Sequence, residues 1–146
     1  GAYISIIDSA LIQSGLQEKW LSKMVKEGTG HSWLRIDGRR PLLIHTDPLS
    51  DDDEINGFVV STGEIVQHRL TPPELDNLEQ IANAAARNKI GKITLRCSLD
   101  PEIQPTLQRR LDKELRNIDG AKSFMIDVDL ERGTGSHKLY IICKET

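Results

Sequence analysis

His45, Asp47 and His68 are the residues of this sequence whose types could support acid–base chemistry. An imidazole titrates near neutral pH and a carboxylate can orient it. Two strands that brought these three side chains together would therefore form an acid–base pair or half of a metal site. Strand register decides whether they meet, because a slip of one residue places the two histidines on opposite faces. No Ser, Cys or third ligand stands at a diagnostic spacing from them, so a structural role is the favoured reading and no catalytic residue is assigned.

A calcium site is suggested by Asp51-Asp52-Asp53-Glu54 with Asn56-Gly57, where oxygen ligands alternate ahead of a glycine as in a calcium loop. With Asp52, Glu54 and Asn56 as the first three ligands, the closing carboxylate would fall on Gly63, one residue before Glu64. The spacing fails, and a solvated, self-repelling acidic loop is expected. Two glycine-containing stretches, Gly28-Thr29-Gly30 before His31 and Gly133-Thr134-Gly135-Ser136 before His137, could present backbone N–H groups to an anion. Neither has the Lys-Ser/Thr pair or the following helix that phosphate loops use. Arg132, His137 and Lys138 around the second loop keep anion binding as a candidate there.

The strongest candidate surface is cationic. In the stretch 101–118, Arg109, Lys113 and Arg116 fall at helical spacing with Arg110 beside them, opposite or flanking an apolar stripe. Such a row could neutralise backbone phosphates or lie against an acidic partner. Asp112 and Glu114 interrupt it, and only two Trp, two Tyr and two Phe are present for base stacking, so a solvated charged face competes with the nucleic-acid reading.

These residues need positioning elements, and the chain is long enough to supply them: 146 residues can bury a core without disulfides or a structural metal. With 28% charged and 38% apolar residues the composition is that of an ordinary folded protein. A net charge of -3 gives no global pull towards nucleic acid or anionic lipid. No apolar run approaches the roughly 20 residues that a membrane-spanning helix needs, and a cytoplasmic location is expected. Cys97 and Cys143 share strand parity with apolar neighbours and lack metal-ligand spacing, so buried thiols are expected.

The spacing of Leu16, Trp20, Leu21, Met24 and Val25 predicts a helix with Ser14 and Gln17 as a capping box and Gly28 as its stop. Tyr3 to Gln13, rich in Ile and Ala, reads as an extension of that helix or a short separate one. Period-two patterning then predicts a four-stranded meander: Ser32 to Asp37, an Asp37-Gly38 turn, Pro41 to Thr46, Gly57 to Ser61, a Thr62-Gly63 turn and Glu64 to Leu70. Thr71, Pro72 and Glu74 predict a helix start, with Leu75, Leu78, Ala82 and Ala85 facing inward and a stop near Asn88. A strand over Lys92 to Ser98 follows. Asp100 and Pro101 open the cleanest amphipathic helix, with Ile103, Leu107, Leu111, Leu115 and Ile118 on one face and Gly120 at its end. Ser123 to Glu131 and His137 to Lys144 form a last hairpin.

The expected fold is therefore α+β: one domain, with the possibility that it is cut from a longer protein, in which helices pack on a mainly antiparallel sheet. Parallel neighbours can arise only around the strand at 92–98, where helices supply crossovers. A folded chain with no coherent catalytic set points to a non-enzymatic interaction or regulatory module that recognises another protein. Nucleic-acid or phosphate-ligand binding through Arg109, Arg110, Lys113 and Arg116, with Arg132 and Lys138, is the alternative. An enzyme using His45, Asp47 and His68 is the third reading. No cofactor is implied. Strand edges of the meander or the last hairpin offer a route to partners or to a homodimer.

Overall fold

The structure, a computed structural model, describes residues 1–36, 40–50, 56–69, 71–129 and 138–146. Its contacts fall into two compact units, residues 1–64 with Thr146, and residues 65–145. The described residues form seven strands and four α-helices, an α+β set in which most strand pairs are antiparallel and one is parallel.

The first unit is organised by a strand that the sequence pattern hides. Tyr3–Ile7 is β1, not helix, and Ser5 is as buried as Ile4, Ile6 and Ile7. A strand covered on both faces loses the polar alternation that would reveal it. The short α1 (Ala10–Gln13) and α2 (Gln17–Met24) follow, then β2 (His31–Arg35), β3 (Leu42–His45) and β4 (Val59–Arg69). The strand order is β2-β3-β1-β4, so β1 separates β3 from β4 and the expected meander does not form. The Thr62-Gly63 turn is absent as well: β4 runs unbroken through these residues, with Thr62 opposite Ser5 and Gly63 opposite Ile4. The β2–β3 hairpin is present, and its Asp37-Gly38 turn lies outside the described residues.

Trp20, Leu21 and Met24 of α2 pack with Ile7, Leu11 and Leu43 in the core of this unit, as their spacing predicts, whereas Leu16, expected on the same face, stands before the first helical residue and is 49% exposed. The Ser14–Gln17 capping box is not made. Ser14 Oγ instead donates to Leu11 O at 2.7 Å and accepts from Leu16 N at 3.3 Å, joining the two short helices. The helix ends at Met24, and Gly28, with φ of 85°, serves the turn beyond it.

In the second unit the strand order is β4-β7-β6-β5, with β5 at Ile90–Leu95, β6 at Ala121–Asp129 and β7 at Lys138–Glu145. The last hairpin is present as β6–β7, from Ser123↔Lys144 to Asp129↔Lys138. β5 and β6 are parallel, and the helix α4 (Gln104–Leu115) connects them. Leu107, Leu111 and Leu115 face a core that includes Ile81 and Ala85 of α3 (Leu78–Arg87), Ile93, Met125 and Ile142. Cys97 and Cys143 are both buried, and burial pushes the Cys143 thiol up to about 12, so it stays protonated at neutral pH.

Both helices of this unit begin later than their sequences suggest. Thr71, Pro72 and Glu74 do not start α3. The Asn77 side chain closes the preceding loop, accepting from Glu74 N at 2.9 Å and donating to Pro72 O at 2.8 Å. Asp100 accepts from Glu102 N at 2.9 Å in a turn that precedes α4. Leu75 and Ile103, expected on the inner faces, are therefore left in loops and are 53% and 47% exposed. α4 also ends at Leu115, so Gly120 is not its stop.

The last hairpin offers no edge, because β7 lies between β4 and β6 and β6 between β7 and β5. The outer edge of β5 is covered by α4. Gln108 accepts from Leu95 N and donates to Ile93 O, both at 2.8 Å, and Gln104 donates to Leu95 O at 3.2 Å. These amides take the place of a neighbouring strand and remove β5 as a template for pairing. No described helix is long and apolar enough to cross a membrane.

Candidate functional site

His45 lies at the end of β3, opposite Tyr3 of β1 on one side and His31 of β2 on the other. Its ring is enclosed, with the residue 1% exposed and Tyr3 stacked on it at 5.8 Å between centroids. Nδ1 lies 2.7 Å from Asp47 O, and a carbonyl can only accept, so Nδ1 carries the proton. Nε2 of the neutral ring is then an acceptor, and Ser5 Oγ, 2.8 Å away, donates to it. Thr62 Oγ1 in turn donates to Ser5 Oγ at 2.8 Å. Hydrogen-bond geometry thus fixes one direction along Thr62, Ser5, His45 and Asp47 O. Burial holds the imidazole below its ordinary 6.5; the Asp47 carbonyl and charge work against this, and His31 works with it.

A serine donating to an oriented histidine is also how a nucleophile is activated. Here Ser5 is 0% exposed, and β1 and its two neighbouring strands surround it, so a substrate atom has no route to the oxygen. The acid–base set expected from the sequence is not assembled either. The Asp47 carboxylate accepts from Thr29 Oγ1 at 3.2 Å and Thr46 Oγ1 at 3.4 Å, away from the ring nitrogens of His45. His68 is an exposed residue of β4. Ser5 and Thr62 carry no local signal of this role, because β1 shows no strand period and Thr62-Gly63 has the chemistry of a turn. Among the described residues, no group of three His, Cys, Asp or Glu could hold a metal ion. The acidic run 51–54 lies outside them.

The cationic candidates are spread over the second unit. Arg109, Arg110, Lys113 and Arg116 are all exposed on or just after α4. Asp112, which interrupts them, accepts from Lys92 Nζ at 3.0 Å and from Gln108 Nε2 at 2.9 Å. Lys138 is drawn to the buried Asp127 carboxylate at 3.7 Å, which reduces its use for an outside anion. Arg132 and His137 lie outside the described residues.

The late starts of α3 and α4 create a different site. Pro72, Pro73, Glu74, Leu75 and Asp76 before α3 face Ser98, Leu99, Asp100 and Ile103 before α4, over a floor of Leu107 and Tyr140. The cleft has a volume of about 540 Å³. Its interior is apolar, while Glu74, Asp76 and Asp100 contribute three carboxylates and no lining residue is basic.

Comparison with known protein families, curated proteins and solved structures finds no match. Function must therefore be argued from the surface chemistry of the chain itself. Leu75 and Ile103 are the signal that sequence could have offered: each precedes its helix by a residue or more and follows a Pro within two or three positions, where inward periodicity has not yet begun.

Proposed function

We propose that this protein is an interaction module that holds a short amphipathic, cationic segment of a partner protein in the Leu75–Ile103 cleft. The observation that carries this reading is the pairing of two large exposed side chains, Leu75 and Ile103, at one concave apolar surface. Scattered apolar residues are normal on a surface, but two that share a cleft with Leu99, Pro72 and Pro73 form a patch that gains by being covered. Each 100 Å² of apolar surface buried there contributes roughly 2.5 kcal/mol before the costs of association. The carboxylates of Glu74, Asp76 and Asp100 select the charge of the occupant: lysines or arginines flanking the apolar anchors would be attracted and acidic segments repelled.

The test is a fluorescence-anisotropy titration with two labelled peptides of the same leucine pattern, one interspersed with lysine and the other with glutamate. The lysine peptide is expected to bind in the micromolar range and the glutamate peptide not to bind. Leu75→Ser with Ile103→Ser should weaken the first at least tenfold without unfolding the protein, since both side chains are already half exposed. Equal binding of both peptides, or no effect of the double substitution, would refute this function.

A second reading, nucleic-acid binding through α4, is favoured by the engagement of Asp112 with Lys92 and Gln108, which leaves the row Arg109, Lys113 and Arg116 with less opposing charge. It predicts oligonucleotide binding that weakens steeply between 50 and 200 mM salt, on the order of tenfold or more, and is lost in Arg109→Glu/Lys113→Glu. Flat anisotropy at every salt concentration retires it.

A further inference from the structure

The second unit has another concave surface, with chemistry opposite to that of the apolar cleft. Gln67 and Arg69 alternate along β4, which places them on one face, and Thr71 follows. Gln80, Asn83 and Arg87 recur at spacings of three and four along α3, offset from the stripe of Leu78, Ile81 and Ala85 that enters the core. These six residues line one pocket of about 380 Å³. Every one of them ends in a hydrogen-bonding group, and none is a carboxylate, an aromatic ring or an aliphatic side chain.

Two guanidinium groups line the same pocket, so an anion held between them would be attracted by both. Arg69 is half-buried, and burial holds it below the usual guanidinium range, with the nearby charge of Glu74 offsetting part of that effect. Glu74 lies outside the pocket lining, so an incoming anion would compete with it for Arg69 from the other side, while no carboxylate lines the pocket beside Arg87. The planar fork of each arginine matches the oxygens of a phosphate.

We propose that this pocket binds the phosphate monoester of a polyhydroxy compound, such as a sugar or polyol phosphate. Arg69 and Arg87 hold the phosphate. The amides of Gln67, Gln80 and Asn83 each both donate and accept, and with the Thr71 hydroxyl they match the hydroxyl groups of a polyol. The lining has no aliphatic or aromatic side chain to form an apolar wall for an acyl chain, which sets lipids apart from the proposed ligand. The volume lies in the lower part of the range of about 300–1,000 Å³ for small-molecule sites.

The test is titration calorimetry of the full chain at low ionic strength with glycerol 3-phosphate, glucose 6-phosphate, myo-inositol 1-phosphate, inorganic phosphate and glucose. At least one polyol phosphate is expected to bind at least tenfold more tightly than inorganic phosphate, and glucose not to bind. Arg87→Gln, Arg87→Glu and Arg69→Gln should each weaken that binding at least tenfold. Arg110→Glu, an exposed change on α4, should leave it within twofold. Because Arg87 is exposed at the end of α3, its variants are expected to keep the wild-type melting temperature within a few degrees. Absence of binding by every phosphate probe, undiminished binding in the Arg87 variants, or an equal loss in Arg110→Glu overturns the site. Inorganic phosphate binding as tightly as the polyol phosphates overturns the polyhydroxy assignment. The Arg87 and Arg110 substitutions leave the lining of the Leu75–Ile103 cleft untouched, whereas Arg69→Gln also removes the charge beside its Glu74, so the Arg87 variants separate the two sites.

Discussion

Replacing His45 by alanine should destabilise the protein by about 3–5 kcal/mol. The ring is completely enclosed, so truncation leaves a cavity, and it also removes the acceptor for Ser5 and the donor for Asp47 O. Ser5→Ala should cost less, about 1–3 kcal/mol, because the lost hydroxyl leaves Nε2 without a donor but almost no empty volume. Urea unfolding at pH 7.5 measures both. A loss within 1 kcal/mol for His45→Ala would mean that the polar chain through β1, β3 and β4 contributes little.

Removing the titratable ring of His45 should also change the response to pH. The folded-state pKa of His45 lies below its unfolded value near 6.5, so between the two the unfolded chain binds more protons. Its stabilising contribution is complete above 6.5 and is lost as the pH falls through the folded value. Within that window one proton corresponds to about 1.4 kcal/mol per pH unit. Protonation makes Nε2 a donor, forces the Ser5 and Thr62 hydroxyls to reverse and leaves a cation enclosed by strands. His45→Gln cannot titrate, so its unfolding free energy should decline less steeply than the wild type's below pH 6.5. Parallel curves would assign the acid response to other groups.

Gly120→Ala is expected to cost about 3 kcal/mol or more. A β-carbon at this position would overlap Lys89 O, lie 2.6 Å from Lys89 C and 2.9 Å from Gly91 N. All three are backbone atoms, and Ala121 N donates to Lys89 O at 2.9 Å, so the contact cannot open without disturbing the start of the β5–β6 pair. Gly91→Ala meets the same obstacle from the other strand, 2.6 Å from Ile118 O. Lys89 itself adopts a φ of 55°, a conformation that L residues rarely hold, which shows how tightly the chain turns there. Gly57→Ala is the control, since its β-carbon has no atom within 4 Å and its stability change should stay within about 0.5 kcal/mol. Equal midpoints for Gly120→Ala and Gly57→Ala in thermal unfolding would show that the two strands can separate freely at this point.

The α+β class, the inward stripe of α4, the core face of α2, the β2–β3 and β6–β7 hairpins and the two buried thiols were all legible in the sequence. Each is a local pattern with one dry and one wet side, and for such elements the period of the apolar residues states which side is which. Leu107, Leu111 and Leu115 needed no knowledge of their partners to be placed inward.

Only the tertiary structure decided the rest. β1 is buried on both faces and shows no period, so its strand character came from pairing with residues about 40 and 60 positions away. That pairing drew Ser5 and Thr62 to His45 and held β4 straight across Thr62-Gly63, overriding local turn chemistry. The boundaries of α3 and α4 were set by loop bonds from Asn77 and Asp100, which left Leu75 and Ile103 outward and made the cleft. The pocket of Arg69 and Arg87 joins a strand face to a helix stripe, a juxtaposition that neither segment encodes alone. Local periodicity determines which face of an element avoids water. Which elements meet, and therefore which side chains share a pocket, depends on long-range contacts that no local pattern contains.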